Sequence, residues 1–266
     1  MFLRGCLWCL LWVSTAHAQH GVGGRYLAMG NTGTALGGIH SLTANQAGLV
    51  EMDGGGVGIF YQNHFFDAAI HSQAVMLALP TRVGVFGAVA NRYALAGAFS
   101  ETKAGFAYSR LFGPRIAVAM AFHYHQLRIP SYGGSTAFSA EVGMQYRSAS
   151  SLIVGVHYAN PGKLGYGADV FSVVPSVIRA GASYRFADVV TVSGDIAYLL
   201  DDRLDGRMGL EYRLIPWLCF RGGLSTAPMQ QYAGFGLAWE QLATDFSMVF
   251  HPRLGMSPQV AVVYAF

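Results

Sequence analysis

Two histidines two residues apart, His123 and His125 in RIAVAMAFHYHQL (115–127), have the spacing in this chain best suited to metal chemistry. On a strand both imidazoles would point to one face and could share a metal, with His71 or His157 supplied from another strand. The plainer reading is a pair of solvated histidines, and with it no metal or other cofactor is expected. Nucleophilic catalysis finds less support. Ser109 and Ser139 are near histidines only by coincidence of counting, and no G-x-S-x-G occurs. GVGG at 21–24 precedes no βαβ unit, so it is not a phosphate loop. Cys219 has no thiol partner once the leader described below is set aside, and reads as a small strand residue. No catalytic residue, and no enzyme, is expected.

Charge is the second possible source of function. Arg179, Arg185, Asp195, Arg207, Glu211, Arg213, Arg221, Glu240 and Asp245 gather in one third of the chain. Placed on one face of neighbouring strands, they form either an ion-pair network bracing an interior or a charged lining that selects solutes. The sequence leaves both open.

These residues must be positioned by strands, because the alternation is clear. In SVIRAGASYRF (176–186), Ile178, Ala180, Ala182, Tyr184 and Phe186 oppose Arg179, Gly181, Ser183 and Arg185. DVVTVSGDIAYLL (188–200) and GRMGLEYRL (206–214) repeat the pattern. A period of two means a sheet with one wet face and one oily face. About fourteen such segments can be counted between Val57 and Phe266. Their connections are read as short at one end, near Pro80, Gly113, Ala149, Ala187, Ile215 and Gln241. At the other end they are read as longer, at 65–68, 93–101, 128–136 and 160–175.

Composition says which solvents the two faces meet. The 266 residues are 53% hydrophobic and only 12% charged, against roughly 25% charged in a soluble domain. No apolar run beyond the N-terminus is long enough for a spanning helix. Strands in lipid must close on themselves, since exposed backbone groups find no water there. The expected fold is therefore all-β: a transmembrane, antiparallel, up-and-down β-barrel of about 14 strands with a short N-terminal plug or hatch. A soluble β-sandwich is the alternative, disfavoured by a polar face poor in continuous charge. Tyr61, Tyr146, Tyr158, Tyr212 and Tyr264 would sit at headgroup level.

Residues 1–18 (MFLRGCLWCLLWVSTAHA) read as a secretory signal: Arg4, an apolar core, and Ala16-His17-Ala18 before the cut. Cleavage would remove one of 17 basic residues and none of 14 acidic ones, leaving about +2. That balance offers no argument for nucleic acid. Residues 19–53 form the plug or periplasmic hatch and 54–266 the barrel.

GGRYLAMGNTGTALGG followed by NQAGL (45–49) resembles the N-terminal region of the FadL and PorV group of outer-membrane proteins. The resemblance makes Met29, Gly30, Asn45, Ala47, Gly48 and Leu49 the plug motif. This chain departs from the group's pattern at Gln46, where proline is usual, and at Gly37-Gly38-Ile39-His40, where an acidic pair is common. The group's terminal alternating strand is matched by Val260, Val262, Tyr264 and Phe266, with Tyr264 and Phe266 as the signal for the barrel-assembly machinery. The implied place is the outer membrane of a Gram-negative bacterium, with its lipid as partner. The implied function is passive passage of small hydrophobic molecules, captured among Phe65, Phe66, Tyr132, Leu164, Tyr166 and Phe171 of the outer loops. The alternative is a non-catalytic PorV/PorQ-like scaffold of type IX secretion, docking to another outer-membrane protein.

Overall fold

The computed structural model describes residues 23–148, 151–166, 174–200 and 203–266, so the expected leader and Phe171 lie outside the described residues. The first seven strands are β1 (Gly56–His64), β2 (Asp67–Thr81), β3 (Gly84–Leu95), β4 (Phe99–Phe112), β5 (Ile116–Ile129), β6 (Gly133–Arg147) and β7 (Leu152–Ala159). The second seven are β8 (Val177–Phe186), β9 (Val190–Leu199), β10 (Leu204–Ile215), β11 (Leu218–Thr226), β12 (Met229–Trp239), β13 (Leu242–His251) and β14 (Gly255–Ala265). Each is antiparallel to its neighbours, and β1 pairs with β14 from Gly56↔Ala265 to Gln62↔Gln259. The sheet is a closed 14-strand barrel.

Alternation decides which residue meets which solvent. Along β5, Ala117, Ala119, Ala121, His123, His125 and Leu127 are buried inside, whereas Met120 and Phe122 on the outer face are 51% and 61% exposed. Ile59, Phe106, Ile196, Met208, Leu210 and Val260 are likewise exposed outside. An outer surface so apolar, on a sheet with no edge, suits hydrocarbon rather than water. No helix among the described residues is long and apolar enough to cross a membrane; the strands do the crossing.

The chain terminus and the start of β1 share one end, here called the near end, where the Phe266 N–H donates to the Gly55 carbonyl (2.8 Å). Aromatic side chains ring that end: Tyr212, Trp217, Trp239, Tyr264 and Phe266 are all exposed, as an interfacial girdle requires. The expected contrast in loop length is not observed. At the far end the connections 65–66, 96–98, 130–132, 200–203, 227–228 and 252–254 are as short as those at the near end, and 160–176 alone is long. Strand pairing has consumed the expected loops: Tyr93, Ala94 and Leu95 pair with Glu101, Ser100 and Phe99, and Gly133 to Thr136 pair with β5.

Eight strands make a barrel that side chains alone can fill; fourteen make a wider one. Here the chain ahead of β1 occupies the interior. It contains the short helix α1 (Gly24–Ala28) and two 3-10 turns, Ile39–Thr43 and Gln46–Glu51. Tyr26, Leu27, Met29, Leu36, Ile39, Leu42 and Leu49 are each at most 5% exposed. Ile39, Leu42 and Leu49 pack on Phe60, Met76, Val85 and Val89 of the wall, and Leu27 packs on Tyr232 and Val249. Burial of such side chains stabilises by roughly 1.5–3 kcal/mol each.

Candidate functional site

The interior has a near half, where the N-terminal segment meets the wall, and a far half beside residues 160–166 and 174–176. In the near half the inward charges of β9–β13 hold the segment. Glu211 of β10 accepts from Arg25 of α1 through Nη2 (2.8 Å) and Nε (2.9 Å), and from Arg221 Nε (2.6 Å). Arg221 also donates to Asp245, whose other oxygen lies 3.6 Å from His40 Nε2. Asp195 Oδ2 accepts from the Gly33 N–H (2.9 Å), the Thr34 N–H (3.1 Å) and the Thr34 hydroxyl (2.8 Å). Toward the far end of β10, Arg207 donates Nε to Asp205 (2.7 Å) and Nη1 to the Asn31 carbonyl of the segment (3.2 Å). The segment's backbone carbonyls are used too, Gly24 by Ser247 and Ala35 by Ser183.

Six of the nine charges singled out in the sequence thus point inward: Arg179, Asp195, Arg207, Glu211, Arg221 and Asp245. The other three do not line the interior. Arg185 and Arg213 lie exposed at near-end strand termini, and Glu240 stands in the β12–β13 turn with φ 50°. Alternation assigned the right face, but the face has no interior meaning once the strand leaves the wall.

The residues of the resemblance are the segment's points of contact. Asn45 Nδ2 donates to the Thr34 carbonyl (2.8 Å), and to the Met144 and Val156 carbonyls in the wall (3.2 and 3.3 Å). A Cβ at Gly143 would collide with the Asn45 side-chain oxygen, and one at Gly223 with Gly30, so the wall carries glycine where the segment touches backbone. Met29, Ala47 and Leu49 are fully buried, and Gly48 is buried with them. The departure at position 46 has its own partner, since Gln46 Nε2 donates to Glu141 Oε2 (2.7 Å).

Glu141 of β6 is the hub that sequence reasoning missed. Lys103 Nζ lies 2.7 Å from Oε1, His157 Nε2 3.1 Å from Oε2, and His123 Nε2 3.2 Å from Oε1. His125 is bonded to Ser139 instead (2.8 Å). The signal was present, because Glu141 sits on the polar face of its strand; its partners come from four separate segments. Two imidazoles and a carboxylate are suitable metal donors, but the Lys103 ammonium already neutralises this one. Among the described residues no group of three or more His, Cys, Asp or Glu side chains is arranged to hold a metal.

In the far half, the described parts of the 160–176 connection, 160–166 and 174–176, lie against the inner wall. Asn160 ties it together, donating to the Leu164 and Val174 carbonyls (2.8 and 2.9 Å) while its side-chain oxygen accepts from the Leu164 N–H (3.0 Å). The ring of Tyr166 is buried against Leu127, Ala137 and Val174, and its hydroxyl donates to Glu101 (3.0 Å). Burial first, then the Glu101 carboxylate, push that hydroxyl above its ordinary pKa, so it stays a neutral donor. The other apolar candidates are not gathered around it. Phe65 and Phe66 form the tight β1–β2 turn at positive φ, Tyr132 is 90% exposed on the β5–β6 turn, and Leu164 is exposed on the loop.

No protein-family model and no curated protein matches the sequence. Solved structures do. The monoaromatic hydrocarbon channel CymD superposes with a TM-score of 0.72 at 14% identity, covering 92% of this chain and 98% of that one. The toluene transporter TodX of Pseudomonas putida gives 0.69 at 12% identity, covering 92% and 97%. A FadL homologue of Pseudomonas aeruginosa gives 0.66 at 9% identity, covering 92% and 98%. The likeness is one of fold: a barrel spanned over nearly its full length.

Proposed function

We propose that the chain is a channel of the Gram-negative outer membrane for passive passage of small hydrophobic molecules, with its N-terminal segment as the plug. The observation that carries the reading is the filled near half. A water-filled axis is incompatible with a segment bonded to or packed against most of the surrounding strands, whereas a hydrophobic solute needs no such axis. It can enter the far half and leave through the wall into lipid. The wall has a place that favours this: the β6–β7 ladder ends at Glu141↔Ala159, while β6 runs on to Gly133. The fold-level likeness to channels for toluene and other monoaromatic hydrocarbons supports the same substrate class.

The test is uptake of labelled toluene by cells with an intact lipopolysaccharide outer membrane, with and without the protein, beside planar-bilayer conductance. Faster uptake with little steady ion current is expected. A steady ohmic current, or uptake no faster than in the empty strain, would reject the proposal. Shortening the chain by Phe266, whose ring stacks on Tyr264 at the near end of the terminal strand, should lower the amount of folded barrel through the assembly machinery.

One observation favours a scaffold of the PorV/PorQ kind: far-end connections this short leave little surface for capture. In that case the purified barrel would take up nothing and would co-purify from native membranes with an outer-membrane partner.

A further inference from the structure

We propose that the lipid-facing wall carries, at the far end of β3 and β5, a site for a phosphorylated glycolipid headgroup of the outer leaflet, held by Arg92 and Arg128. The proposal goes beyond the channel reading and does not depend on it; it uses only the closed barrel and its place in the outer membrane. Alternation turns both arginines outward. Val85 and Val89 of β3 and His125 and Leu127 of β5 are buried on the inner face, whereas Arg92 and Arg128, on the opposite register, are exposed. Among the described strand residues of the far half, no other lysine or arginine faces outward.

Strand pairing gathers polar groups around them. Tyr61, Gln73, Arg92, Thr102, Gln126 and Thr136 are successive partners across β1 to β6 and form one outward row. In the next row toward the far end, Ser100 and Arg128 are partners. Arg128 is thus two strands across and two residues along from Arg92, about 12 Å between Cα positions at ordinary sheet spacings. No hydrogen bond or ion pair engages either guanidinium among the described residues. Of the carboxylates on β1 to β6, Glu101 and Glu141 face inward, where Tyr166 and Lys103 meet them. Asp67, the first residue of β2, stands four residues beyond the second row and accepts from the Ala69 N–H (2.9 Å).

Charge and place together define the occupant. A guanidinium on a wall that faces hydrocarbon is tolerated at the interface, with its stem along the wall and its head among polar groups. The opposite wall has none: at the far ends of β9 to β14 the exposed outward residues include Tyr198, Leu204, Leu224, Met229, Phe250 and Met256. Two cations on one side of the barrel, with no acid of the chain to meet them, match an anion supplied by the membrane. Guanidinium pairs with phosphate through two parallel hydrogen bonds, and the side chains of Gln73, Thr102, Gln126 and Thr136 suit sugar hydroxyls. Toward the midplane from Arg92 come Ala90 and Ala88, small residues beside Val75 and Leu77 over which an acyl chain can lie. Both ends of the barrel chain lie at the near end, the periplasmic side of an exported barrel. The far end therefore meets the outer leaflet, whose lipid is a phosphorylated glycolipid.

The experiment measures binding of bisphosphorylated lipid A to the folded barrel in one detergent by native mass spectrometry, beside lipid A stripped of both phosphates and beside inorganic phosphate. The parent should bind the phosphorylated lipid at least tenfold more tightly than the stripped one, the scale of one charge-assisted hydrogen bond. Arg92→Gln and Arg128→Gln should each weaken it by about tenfold, and the double variant should bind the two lipids alike. Arg92→Lys and Arg128→Lys, which keep the charge and lose the fork, should fall between parent and glutamine variants; they carry the test should a glutamine variant not fold. Arg110→Gln, at the outward arginine of the near end of β4, should leave binding unchanged. Equal affinity for the two lipids, an unchanged double variant, or an equal loss at Arg110 would overturn the site. So would displacement of the lipid by millimolar inorganic phosphate, which would mark a site for the free anion. An outer-membrane protein that co-purifies through the two arginines while lipid binding stays unchanged would assign the patch to a protein partner and overturn it too.

Discussion

The near and far halves of the interior are built from the same strands but differ in how a buried charge such as Glu211 or Arg179 is paired. In the near half every charge has been given a partner: Glu211 two arginines, Asp245 an arginine and a histidine, Asp195 two backbone N–H groups and a hydroxyl. Toward the far end, Arg179 of β8 differs: its Nε has no hydrogen-bond partner, and no ion pair reaches it among the described residues. Satisfied networks stiffen a structure and define one arrangement, while unsatisfied ones cost stability and persist where something else is served. On the channel reading, the near half would be the closure and the far half the place of traffic.

The sharpest way to break this contrast is to remove a near-half hub. Glu211→Leu strands Arg25 and removes one of the two acids from Arg221, leaving buried charge uncompensated. A loss of about 3–5 kcal/mol is expected, read as a lower urea midpoint for the barrel in lipid vesicles, together with ion conductance that the parent lacks. A loss below about 1 kcal/mol would mean that the network is ornamental and the halves are alike.

Next in size is a steric test of the seam. Gly223→Val places a branched side chain against the backbone of Gly30, where even a Cβ would collide. Overpacking of this kind costs about 1–3 kcal/mol. Because it lifts the segment away from the wall without removing a charge, conductance should rise by more than the stability falls. If stability drops while the bilayer remains silent, the segment closes the barrel by some means other than this contact.

How much of this was legible in the sequence follows from where the information lies. Odd and even positions of DVVTVSGDIAYLL face different solvents, so the strand, its inner face and the inward pointing of Asp195 can be read from one line of residues. Strand length could not, since Tyr93–Leu95 look like loop until Phe99–Glu101 offer a ladder. The site was half legible for the same reason. Glu141 is visibly polar-faced, yet nothing near it in sequence announces Lys103, His123, His157 or Gln46, which only closure of the barrel brings to it. A group left without a partner, such as the Nε of Arg179, is a fact of three dimensions alone. The tyrosine that folds inward, Tyr166, was named in the sequence for the wrong surroundings: it was expected in an outer groove and lies against the inner wall.

A smaller effect sharpens the far half. Tyr166→Phe removes the hydroxyl that holds the loop to Glu101 while keeping the buried ring. About 1 kcal/mol of local stability should be lost, visible as faster amide exchange at 160–166 with the global unfolding midpoint unchanged. Toluene uptake should rise if the loop limits entry. A shift of the global midpoint by the full amount would place the loop with the closure instead.

The smallest expected effect is the most discriminating, because it is the opposite in sign to the first. Arg179 is a half-buried cation on β8, near the like charge of Arg207 and without an ion pair to Asp195. Arg179→Met keeps the length of the stem and removes the charge. An unpaired charge in a partly desolvated interior destabilises the fold that holds it. The substitution should therefore leave the urea midpoint within about 0.5 kcal/mol of the parent or raise it, whereas the same change at Arg221, paired to two acids, should lower it severalfold more. Equal losses at the two positions would show that Arg179 is as firmly built in as Arg221, and the division of the interior into a closed half and an open one would have to be given up.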